Sequence, residues 1–510
     1  MCIPHYLIVG GGLSGLVTSY LISLTRPLGS YRLTVLESSS RWGGWIQSVK
    51  NMDTGSIYEI GPHSTRATSA TSGLLMRIVK SLHLENSLVW MRQGTVGAER
   101  LMYINDQLLP LSAFNFSTLK PFTRSNCSLI IRRLFSRRPP SQSDWTVDEF
   151  LRSRLDSEFA DYFGSALMRG IFAGDSRNLS ARACLPTMVK SEEYGPNLIL
   201  GILLSRINRS LDRIVIPNMI DDKLPQLNNL IPSDAIAWTL SGGLETLINT
   251  IVDHLSRKHP HIDLKLNSSV EKLKSLNGCF EYTYKVISDN GNDKEKNTAD
   301  IVFFCCPSYV TASILEDVLT TETLSYLKPD SIPWGSIVSA VLEIDDSFIP
   351  LVRGFGHLVP RTEDEHILGV IYDSFAFPKL DGFNKNLRYT VMMKPFREWL
   401  EASTSLGSSE HLKNTIEEVA KTVLINHLKI PAPVIVGRHI SILRNCIPQY
   451  PPGHLTNMAN LRNGIRRISN GHSSGRSSIY LVGNSYDGVG LNDAVYSAAC
   501  AVAEEFSSSS

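Results

Sequence analysis

The chain has 510 residues, of which 43% are apolar and 19% are charged, and its formal net charge is +1. These values exclude a strongly basic protein of the kind that binds nucleic acid. They predict two or three folded domains, because one core rarely holds so many residues. The eight cysteines contain no C-x-x-C pair, so buried free thiols are expected rather than a disulfide framework, and no metal site is predicted.

Apolar stretches long enough to cross a membrane are not expected, because no run approaches about 20 uninterrupted apolar residues. The first predicted strand begins within a few residues of Met1. We therefore expect neither a secretory signal nor a cleavable presequence, and any membrane contact is expected from one side only.

The first predicted elements are a strand, a glycine-rich turn and a helix. An apolar run over residues 6–9 leads into Gly10-x-Gly12-x-x-Gly15, and residues 16–24 suit a helix. Gly10 permits the tight turn, Gly12 lets main-chain N–H groups approach a pyrophosphate, and Gly15 allows the helix to pack closely on the strand. The positive end of the helix dipole favours the same anion, so the order of elements predicts a dinucleotide site.

An acidic residue follows the second predicted strand, residues 32–36. The carboxylate of Glu37 is placed to accept both ribose hydroxyls of an adenosine, and it would repel a 2′-phosphate, which disfavours NADP. A second glycine pair comes soon after, in residues 41–45, where a chain bound along the length of a flavin would lie. This pattern favours FAD over an open nicotinamide pocket.

The next predicted elements lead away from the nucleotide site. A strand over residues 57–60 ends in the Gly61-Pro62 turn, and residues 71–90 have the apolar spacing of a helix. Residues 99–110 are typical of a hairpin turning at Asn105 and Asp106, with Arg100 at its entrance.

Residues 107–143 contain no acidic side chain. Apolar residues alternate there with six basic ones, and on a helix several apolar side chains would share a face flanked by arginines. Two interpretations remain open: a basic amphipathic segment on an anionic lipid surface, or a solvated basic loop beside a helix packed on the core. The basic residues are Lys120, Arg124, Arg132, Arg133, Arg137 and Arg138.

Residues 146–215 are mostly helical by periodicity. We expect an interruption at residues 169–175, where two glycines bracket an apolar turn that either approaches a flat ligand or forms a packing corner. Residues 217–235 are typical of a loop. Strands over residues 262–266, 280–288 and 299–305 return the chain to the nucleotide domain, and those over 336–344, 354–359, 368–374 and 388–394 suit a second domain.

The end of the chain repeats the pattern of its beginning. Residues 479–493 run from a strand through glycines to a helix, which would begin near Leu491 and aim its positive end at the pyrimidine edge of a flavin. Two such units, at the two ends of the chain, predict one nucleotide domain assembled from both.

Motifs spread nearly from end to end also carry a resemblance to a known family: residues 10–15, 37–39, 43–46, 61–62, 169–174, 354–359, 372–374, 445–450 and 488–490. They resemble the protoporphyrinogen oxidases of the mitochondrial, FAD-dependent, oxygen-using type, within the amine oxidase and phytoene desaturase superfamily. The runs over residues 354–359 and 445–450 are the most specific to that family.

The resemblance implies particular ligand contacts. It assigns FAD contacts to Gly10, Gly11, Gly12, Leu13, Ser14, Gly15, Glu37, Ser38, Trp45, Gly61, Pro62, His63, Ser64, Val270, Val489, Gly490 and Leu491. Arg100 matches an arginine that pairs with a propionate of the porphyrinogen, and Gly170, Phe355, Leu358 and Met392 match apolar residues that sandwich the macrocycle. No protein general base is implied.

The resemblance further implies an α/β protein, α+β overall. Its parts are a discontinuous Rossmann-type FAD-binding domain, an inserted substrate-binding domain and a mainly helical membrane-associated domain. The FAD-binding domain would comprise residues 1–70, 236–305 and 476–510; the substrate-binding domain 71–110 and 306–475; and the helical domain 111–215.

The implied activity is the oxidation of protoporphyrinogen IX by oxygen, in heme biosynthesis. Peripheral attachment to the mitochondrial inner membrane on the intermembrane-space side, handover of product to ferrochelatase and a homodimer are part of the same expectation. Two departures stand out: some relatives have arginine where this chain has His63, and a tryptophan near Leu455.

Two rival functions remain. An FAD-dependent amine oxidase or carotenoid desaturase would share the flavin domain, and an amine oxidase would need an aromatic pair for which only Tyr486 and Tyr496 are candidates. A prenyl-binding chaperone of the Rab escort type would share the fold without flavin chemistry, and the intact glycine motifs disfavour it.

Overall fold

The computed structural model describes residues 3–508 except 70, 112–143, 196–197, 199, 202–203, 205–215, 277, 289–290, 346–351, 384–385, 404–409 and 471–476. Within the described residues, strands and helices alternate near the two ends of the chain, and strands dominate the later middle.

The strands are β1 (His5–Val9), β2 (Arg32–Leu36), β3 (Ser48–Lys50), β4 (Ile57–Glu59), β5 (Thr65–Arg66), β6 (Leu88–Arg92), β7 (Arg100–Ile104), β8 (Gln107–Pro110), β9 (Ala235–Leu240), β10 (Ile262–Lys265), β11 (Ser268–Leu276), β12 (Cys279–Ser288), β13 (Gly291–Ala299), β14 (Ile301–Phe304), β15 (Trp334–Ile344), β16 (Gly356–Leu358), β17 (Ile367–Ile371), β18 (Leu387–Met393), β19 (Ile435–Pro448) and β20 (Ser478–Leu481).

The α-helices are α1 (Leu13–Thr25), α2 (Ser72–Ser81), α3 (Val147–Arg154), α4 (Ser157–Phe159), α5 (Ser165–Phe172), α6 (Ala181–Cys184), α7 (Pro186–Ser191), α8 (Asn218–Asp221), α9 (Glu245–Lys258), α10 (Ser308–Ile314), α11 (Thr321–Ser325), α12 (Asp373–Ala376), α13 (Arg397–Ala402), α14 (Glu410–Leu428), α15 (His454–Asn470) and α16 (Leu491–Ser508).

A parallel sheet in the order β10-β2-β1-β14-β20 joins distant parts of the chain. Its central strand β1 is buried on both faces, as an apolar run predicts for a parallel sheet. Tyr6 and Ile8 point into a core shared with α1, α9 and α16, whereas Leu7 and Val9 point into a second core shared with β11, β12 and β13. Strand and helix units from both ends of the chain therefore meet in one layer.

A mixed sheet in the order β19-β15-β18-β17-β16-β7-β8 forms the second large layer. The long helix α14 covers one face, and α5 packs on β16 and β17. The predicted hairpin is confirmed: β7 and β8 pair across Asn105 and Asp106, which have φ of 50° and 60°. Two adjacent residues with positive φ suit the tight turns that match strand twist.

The buried carboxylate of Glu343 on β15 links the second large sheet to the two-stranded sheet of β3 and β4. It accepts hydrogen bonds from Thr54 Oγ1 at 2.8 Å and Ser56 Oγ at 3.0 Å, and from the Tyr58 hydroxyl. Glu343 is fully buried, and a buried charge is tolerable only when such donors satisfy it. This network holds the segment after the first glycine units against the second sheet.

Several predicted elements differ from the structure. The loop predicted over residues 217–235 contains the short helix α8, and the strand predicted over residues 368–374 ends at Ile371, before helix α12. The helix predicted over residues 71–90 ends at Ser81, because residues 88–92 form β6 and pair with β9. The turn predicted over residues 169–175 is wrong in its first half: α5 continues through Gly170 to Phe172, and the chain turns at Ala173, whose φ is 50°. Sheet pairing and helix packing override the local pattern in the last two places.

Among the described residues, no helix is long and apolar enough to cross a bilayer. The predicted amphipathic segment, with all six of its basic residues, lies outside the described residues. Short helices α3 to α7 make up most of residues 144–195, as the periodicity predicts for that part.

Close packing at Gly15 predicts a selective loss of stability. A Cβ at this position would lie 2.0 Å from the carbonyl oxygen of Gly10, so Gly15→Ala should lower the free energy of unfolding by roughly 1–3 kcal/mol. Gly73→Ala is the matched control: it is also helical but has no atom within 4 Å of the added carbon, and it should be neutral or stabilising by up to about 1 kcal/mol. Thermal or urea unfolding measures both, and equal effects would contradict the packing argument.

Candidate functional site

The glycine-rich loop between β1 and α1 leaves its helix end open. Gly10 has φ of 106°, which a side chain would strain, and α1 begins after Gly12 with no side-chain cap and no acidic residue in its first turn. A Cβ on Gly12 would meet only Gly44 Cα, at 3.8 Å. Backbone N–H groups at an uncapped helix end beside open space suit a pyrophosphate.

Glu37 turns toward this loop. Its Oε2 accepts a 2.6 Å hydrogen bond from Gly11 N, and its Oε1 accepts one of 2.8 Å from Ser39 N. The Ser38 hydroxyl lies 3.4 Å from the same Oε1. The backbone thus fixes the carboxylate at the ends of β1 and β2, where an adenosine ribose would lie in this fold.

The second glycine pair lies directly on the first loop. Gly43 N donates to Gly11 O at 2.9 Å. The Arg41 guanidinium donates to the carbonyl oxygens of Trp42 at 3.1 Å and Ile46 at 3.0 Å, and also to that of Gly44. Arg41 was not among the predicted site residues, although a cation just before a glycine pair was its visible signal.

Residues after the second glycine pair extend the surface that the two glycine loops form. A Cβ on Gly61 would lie 1.9 Å from the Trp45 carbonyl oxygen, so only glycine fits there. The Trp45 side chain is 37% exposed, and Pro62 and Ser64 are half-buried on either side of His63. Val270 packs in the same core as Val9 and Leu36, below the loop.

The C-terminal glycine segment contacts the first helix. A Cβ on Gly483 would lie 2.8 Å from Ser14 Oγ, so the segment after β20 runs against the start of α1. Ala494 N donates to Gly490 O at 3.0 Å, which places the start of α16 beside Val489 and Leu491. The structure therefore brings the predicted flavin residues from both ends of the chain together, and their individual contacts with FAD remain predictions.

His63 is buried and paired. Its Nδ1 lies 2.8 Å from Asp373 Oδ1, and Asp373 Oδ2 accepts a 2.7 Å hydrogen bond from the Thr390 hydroxyl. Burial lowers the pKa of His63, but Asp373 and Glu59 outweigh burial and raise that pKa above its ordinary value. The Asp373 carboxylate therefore favours the protonated form of His63, at a position where the resemblance implies arginine in some relatives.

Two of the predicted substrate residues, Gly170 and Leu358, meet between α5 and the second sheet, and Met392 lies in register with them two strands away. A Cβ on Gly170 would lie 2.4 Å from Leu358 Cδ2, so the helix approaches this side chain only because Gly170 has none. Leu358 is in register with Gly369, and Gly369 with Met392, on three neighbouring strands. Residues in register share a face, so a glycine separates two apolar side chains beneath the helix. We refer to this apolar surface beneath α5, formed by Gly170, Leu358 and Met392, as the apolar slot.

Arg100 lies on the same face of the sheet, two residues along β7 from Met102, the residue that pairs with Leu358. It pairs with Gly356 at the start of β7, and its guanidinium carbon lies 5.8 Å from the centre of the Phe355 ring. Its side chain is exposed and forms no ion pair with any residue the structure describes. Desolvation by the surrounding protein, together with the positive charge of Arg66, lowers the pKa of Arg100. An unpaired guanidinium beside an aromatic ring is suited to a carboxylate ligand.

Two further residues connect the slot to the flavin side. Gln449 Nε2 donates to Phe172 O at 2.7 Å, and the Tyr450 hydroxyl donates to the Asn484 carbonyl oxygen. The end of α5 is thereby tied to the glycine segment that precedes α16. Sequence reasoning singled out the motif over residues 445–450 but assigned it no role.

The His63 and Asp373 pair predicts a pH-dependent stability difference. Because the pKa of His63 is raised in the folded protein, its contribution to stability is present at low pH and is lost as pH rises through that pKa. Burial alone would raise the pKa of Asp373, but its partners lower that pKa, so the contribution of Asp373 to stability is lost as pH falls. His63→Gln should therefore cost most in the window between the two values, by roughly 3 kcal/mol. Denaturant unfolding at acidic, neutral and alkaline pH measures the difference.

The exposed His411→Gln is the matched control and should show little difference at any pH. A cost for His63→Gln that stays constant across the same range would contradict a charged pair.

Comparison with known proteins identifies the family to which this chain belongs. Residues 13–504 match the model of the family described as flavin containing amine oxidoreductase. Protoporphyrinogen oxidase of Homo sapiens is 31% identical over 508 aligned residues, with 96% of each chain covered, and that of Bos taurus is 31% identical with the same coverage. A solved structure, the putative protoporphyrinogen oxidase from Exiguobacterium sp. 255-15, has 21% identity and a TM-score of 0.73, covers 99% of this chain and 100% of its own, and shares the fold.

These findings confirm the predicted FAD cofactor and the predicted α/β fold class. An uncapped helix end, a carboxylate at the ribose position and glycines along a continuous wall fit that cofactor. The chain belongs to the flavin containing amine oxidoreductase family, among the relatives of the protoporphyrinogen oxidases.

Proposed function

We propose that this flavoenzyme oxidises protoporphyrinogen IX to protoporphyrin IX with oxygen, in heme biosynthesis. The observation that carries the proposal is the apolar slot under α5, where Gly170 meets Leu358 and Met392 lies in register, with Arg100 in the adjacent row. A flat, apolar macrocycle that bears carboxylates needs this combination of surfaces.

The residues of the chain would divide the work. Glu37 and the open end of α1 hold the adenosine diphosphate, while Arg41 keeps the second glycine pair in place. Leu358, Met392 and Phe355 orient the macrocycle and exclude water, and the Arg100 guanidinium pairs with a propionate. Bound FAD would supply the hydride acceptor and, through its re-oxidation by oxygen, the route to hydrogen peroxide, and three such oxidations would convert one substrate molecule. No general base is proposed.

Several finer points belong to the same proposal. We infer peripheral attachment to the mitochondrial inner membrane on the intermembrane-space side, supported by the run without acidic residues over 107–143. Handover of product to ferrochelatase and a homodimer are consistent with this location. The domain boundaries stated above are proposed likewise, and the sheet that joins β1, β10 and β20 supports them.

An amine oxidase is the second candidate, and the aromatic residues argue against it. Tyr486 is buried, and its hydroxyl donates to Thr311 Oγ1 at 3.2 Å, whereas Tyr496 packs against a different core. No ring contact joins the two among the described residues. They do not form the pair that would hold an amine.

Anaerobic mixing tests the proposed function. Protoporphyrinogen IX should bleach the flavin absorption of the purified protein, and an amine should not. A coloured protein that only an amine reduces would favour the amine oxidase, and a colourless protein would favour the prenyl-binding chaperone.

Arg100→Ala should raise KM for the porphyrinogen about tenfold or more, because a charge-assisted hydrogen bond is lost. The flavin content should stay unchanged. Steady-state kinetics and absorption spectra measure these quantities. Arg92→Ala is the matched control, since Arg92 is exposed on β6 and faces Asp234. An unchanged KM for Arg100→Ala would remove its role.

Gly170→Ala should lower kcat/KM by about tenfold, because the added carbon pushes Leu358 into the slot. Adding Leu358→Ala should restore part of the loss, since the clashing atoms are then gone. Kinetics of both single variants and the double variant form the cycle. If the fold-changes in kcat/KM of the two single variants simply multiply in the double variant, Gly170 and Leu358 do not interact, and direct contact within the slot is contradicted.

A further inference from the structure

Arg66, an exposed arginine on β5, has no role in the function proposed above. It lies on the edge strand of the sheet β5-β9-β6, two residues after Ser64, the last predicted flavin contact of that segment. Its carbonyl oxygen accepts a 3.1 Å hydrogen bond from Asn492 Nδ2, and the next residue, Ala67, donates from its backbone N to Ile236 O at 2.9 Å. The backbone at Arg66 is therefore fixed, while its side chain is exposed.

The register of the sheet shows which way the Arg66 side chain faces. Arg66 pairs with Ala237 on β9, and Ala237 pairs with Met91 on β6, so the three side chains share a face. Ala237 and Met91 belong to one apolar cluster, and the Phe355 ring packs against that cluster. Trp238, on the opposite face, packs in the core of the nucleotide side. Arg66 thus lies on the face that carries Phe355.

Arg100 lies beside the same aromatic ring. Its guanidinium carbon is 5.8 Å from the centre of the Phe355 ring. Arg66 is close enough for its positive charge to lower the pKa of Arg100, an effect that adds to the larger one of burial. Two guanidinium groups therefore lie near one ring, and the resemblance assigns that ring to the macrocycle.

No carboxylate pairs with these two cations in the part of the chain that the structure describes. Neither Arg66 nor Arg100 forms an ion pair or a side-chain hydrogen bond there. Glu99 directly precedes Arg100, but its backbone is extended, so the two side chains point to opposite sides. Asp493 lies near Arg66 without forming an ion pair with it, and its Oδ1 accepts a 2.9 Å hydrogen bond from Thr71 Oγ1.

Asp493 also relates Arg66 to the predicted flavin site. It lies in the first turn of α16, where a Cβ on Gly490 would be 2.9 Å from its Oδ2. Burial raises the pKa of Asp493, and the positive charge of Arg66 opposes that effect. Because Arg66 acts on both Asp493 and Arg100, it is near the predicted flavin contacts as well as the substrate arginine. A ligand stacked on Phe355 would therefore meet both arginines.

We infer that Arg66 binds a carboxylate of the substrate, the second propionate, while Arg100 binds the first. This inference rests on the proposed function, since protoporphyrinogen IX carries two propionates on neighbouring rings. Two nearby cations without counter-charges repel each other, and a ligand with two carboxylates relieves that repulsion. The two arginines together would favour a diacid and fix the orientation of the macrocycle on Phe355.

Equilibrium binding of protoporphyrin IX and of its dimethyl ester to the flavin-loaded full chain, in the same detergent, tests this role. Arg66→Ala should weaken binding of the diacid about tenfold or more, because a charge-assisted hydrogen bond is lost. Binding of the dimethyl ester should stay unchanged, because the ester has no carboxylate for Arg66 to hold. Quenching of porphyrin fluorescence measures both affinities.

Three further variants sharpen the test. Arg92→Ala is the matched control, because Arg92 is exposed on β6 of the same sheet and faces Asp234, and it should bind the diacid as the parent does. Arg66→Lys keeps the charge and should recover part of the affinity. In the double variant of Arg66→Ala and Arg100→Ala the two fold-losses should multiply, because each arginine holds its own carboxylate.

An Arg66→Ala variant that binds the diacid as tightly as the parent, or that loses affinity equally for the diacid and the ester, overturns the inference. A loss in the double variant no larger than the greater single loss also overturns it, since both arginines would then hold one carboxylate. Loss of bound flavin from Arg66→Ala would assign the arginine to the cofactor instead. Porphyrinogen that fails to reduce the parent flavin refutes the proposed function, whereas normal reduction with an unchanged KM in Arg66→Ala refutes the role of Arg66 alone.

Discussion

The contact of Gly15 with the Gly10 carbonyl oxygen governs the nucleotide side of this protein. Because no side chain intervenes, α1 begins close against the end of β1, and its N-terminus has no side-chain cap. Gly483 repeats the arrangement from the other end of the chain, where only a glycine can lie against Ser14. These close approaches bring the two ends of a long polypeptide together at the predicted flavin site.

The substrate side depends on a comparable absence of side chains. Because Gly170 has no side chain, α5 packs directly on Leu358. On the sheet below, Gly369 separates Leu358 from Met392. Arg100 on β7 places positive charge at one margin of this apolar surface. An apolar surface with a cation at its margin would suit the flat, carboxylate-bearing substrate proposed above.

Buried polar pairs fix the position of the nucleotide side of the protein relative to its substrate side. The Glu343 carboxylate accepts hydrogen bonds from hydroxyl groups in the segment over residues 54–58, and Arg388 donates a hydrogen bond to Ile57 O at 2.8 Å. Nearby, burial lowers the pKa of His63, but the paired Asp373 carboxylate helps to raise that pKa above its ordinary value. Such satisfied networks favour one arrangement of the layers, because any shift would leave buried charges without partners.

Elements with local signals were predictable from the sequence alone. The glycine spacing after β1, Glu37 after β2, and Asn105 with Asp106 in the hairpin each follow from backbone conformation or strand ends, and the resemblance added Arg100 and the slot residues. Only the folded structure shows the helix that runs through Gly170, the strand over residues 88–92, and the roles of Gln449 and Tyr450. Those features depend on partners far away along the chain, and local propensity carries no information about such contacts.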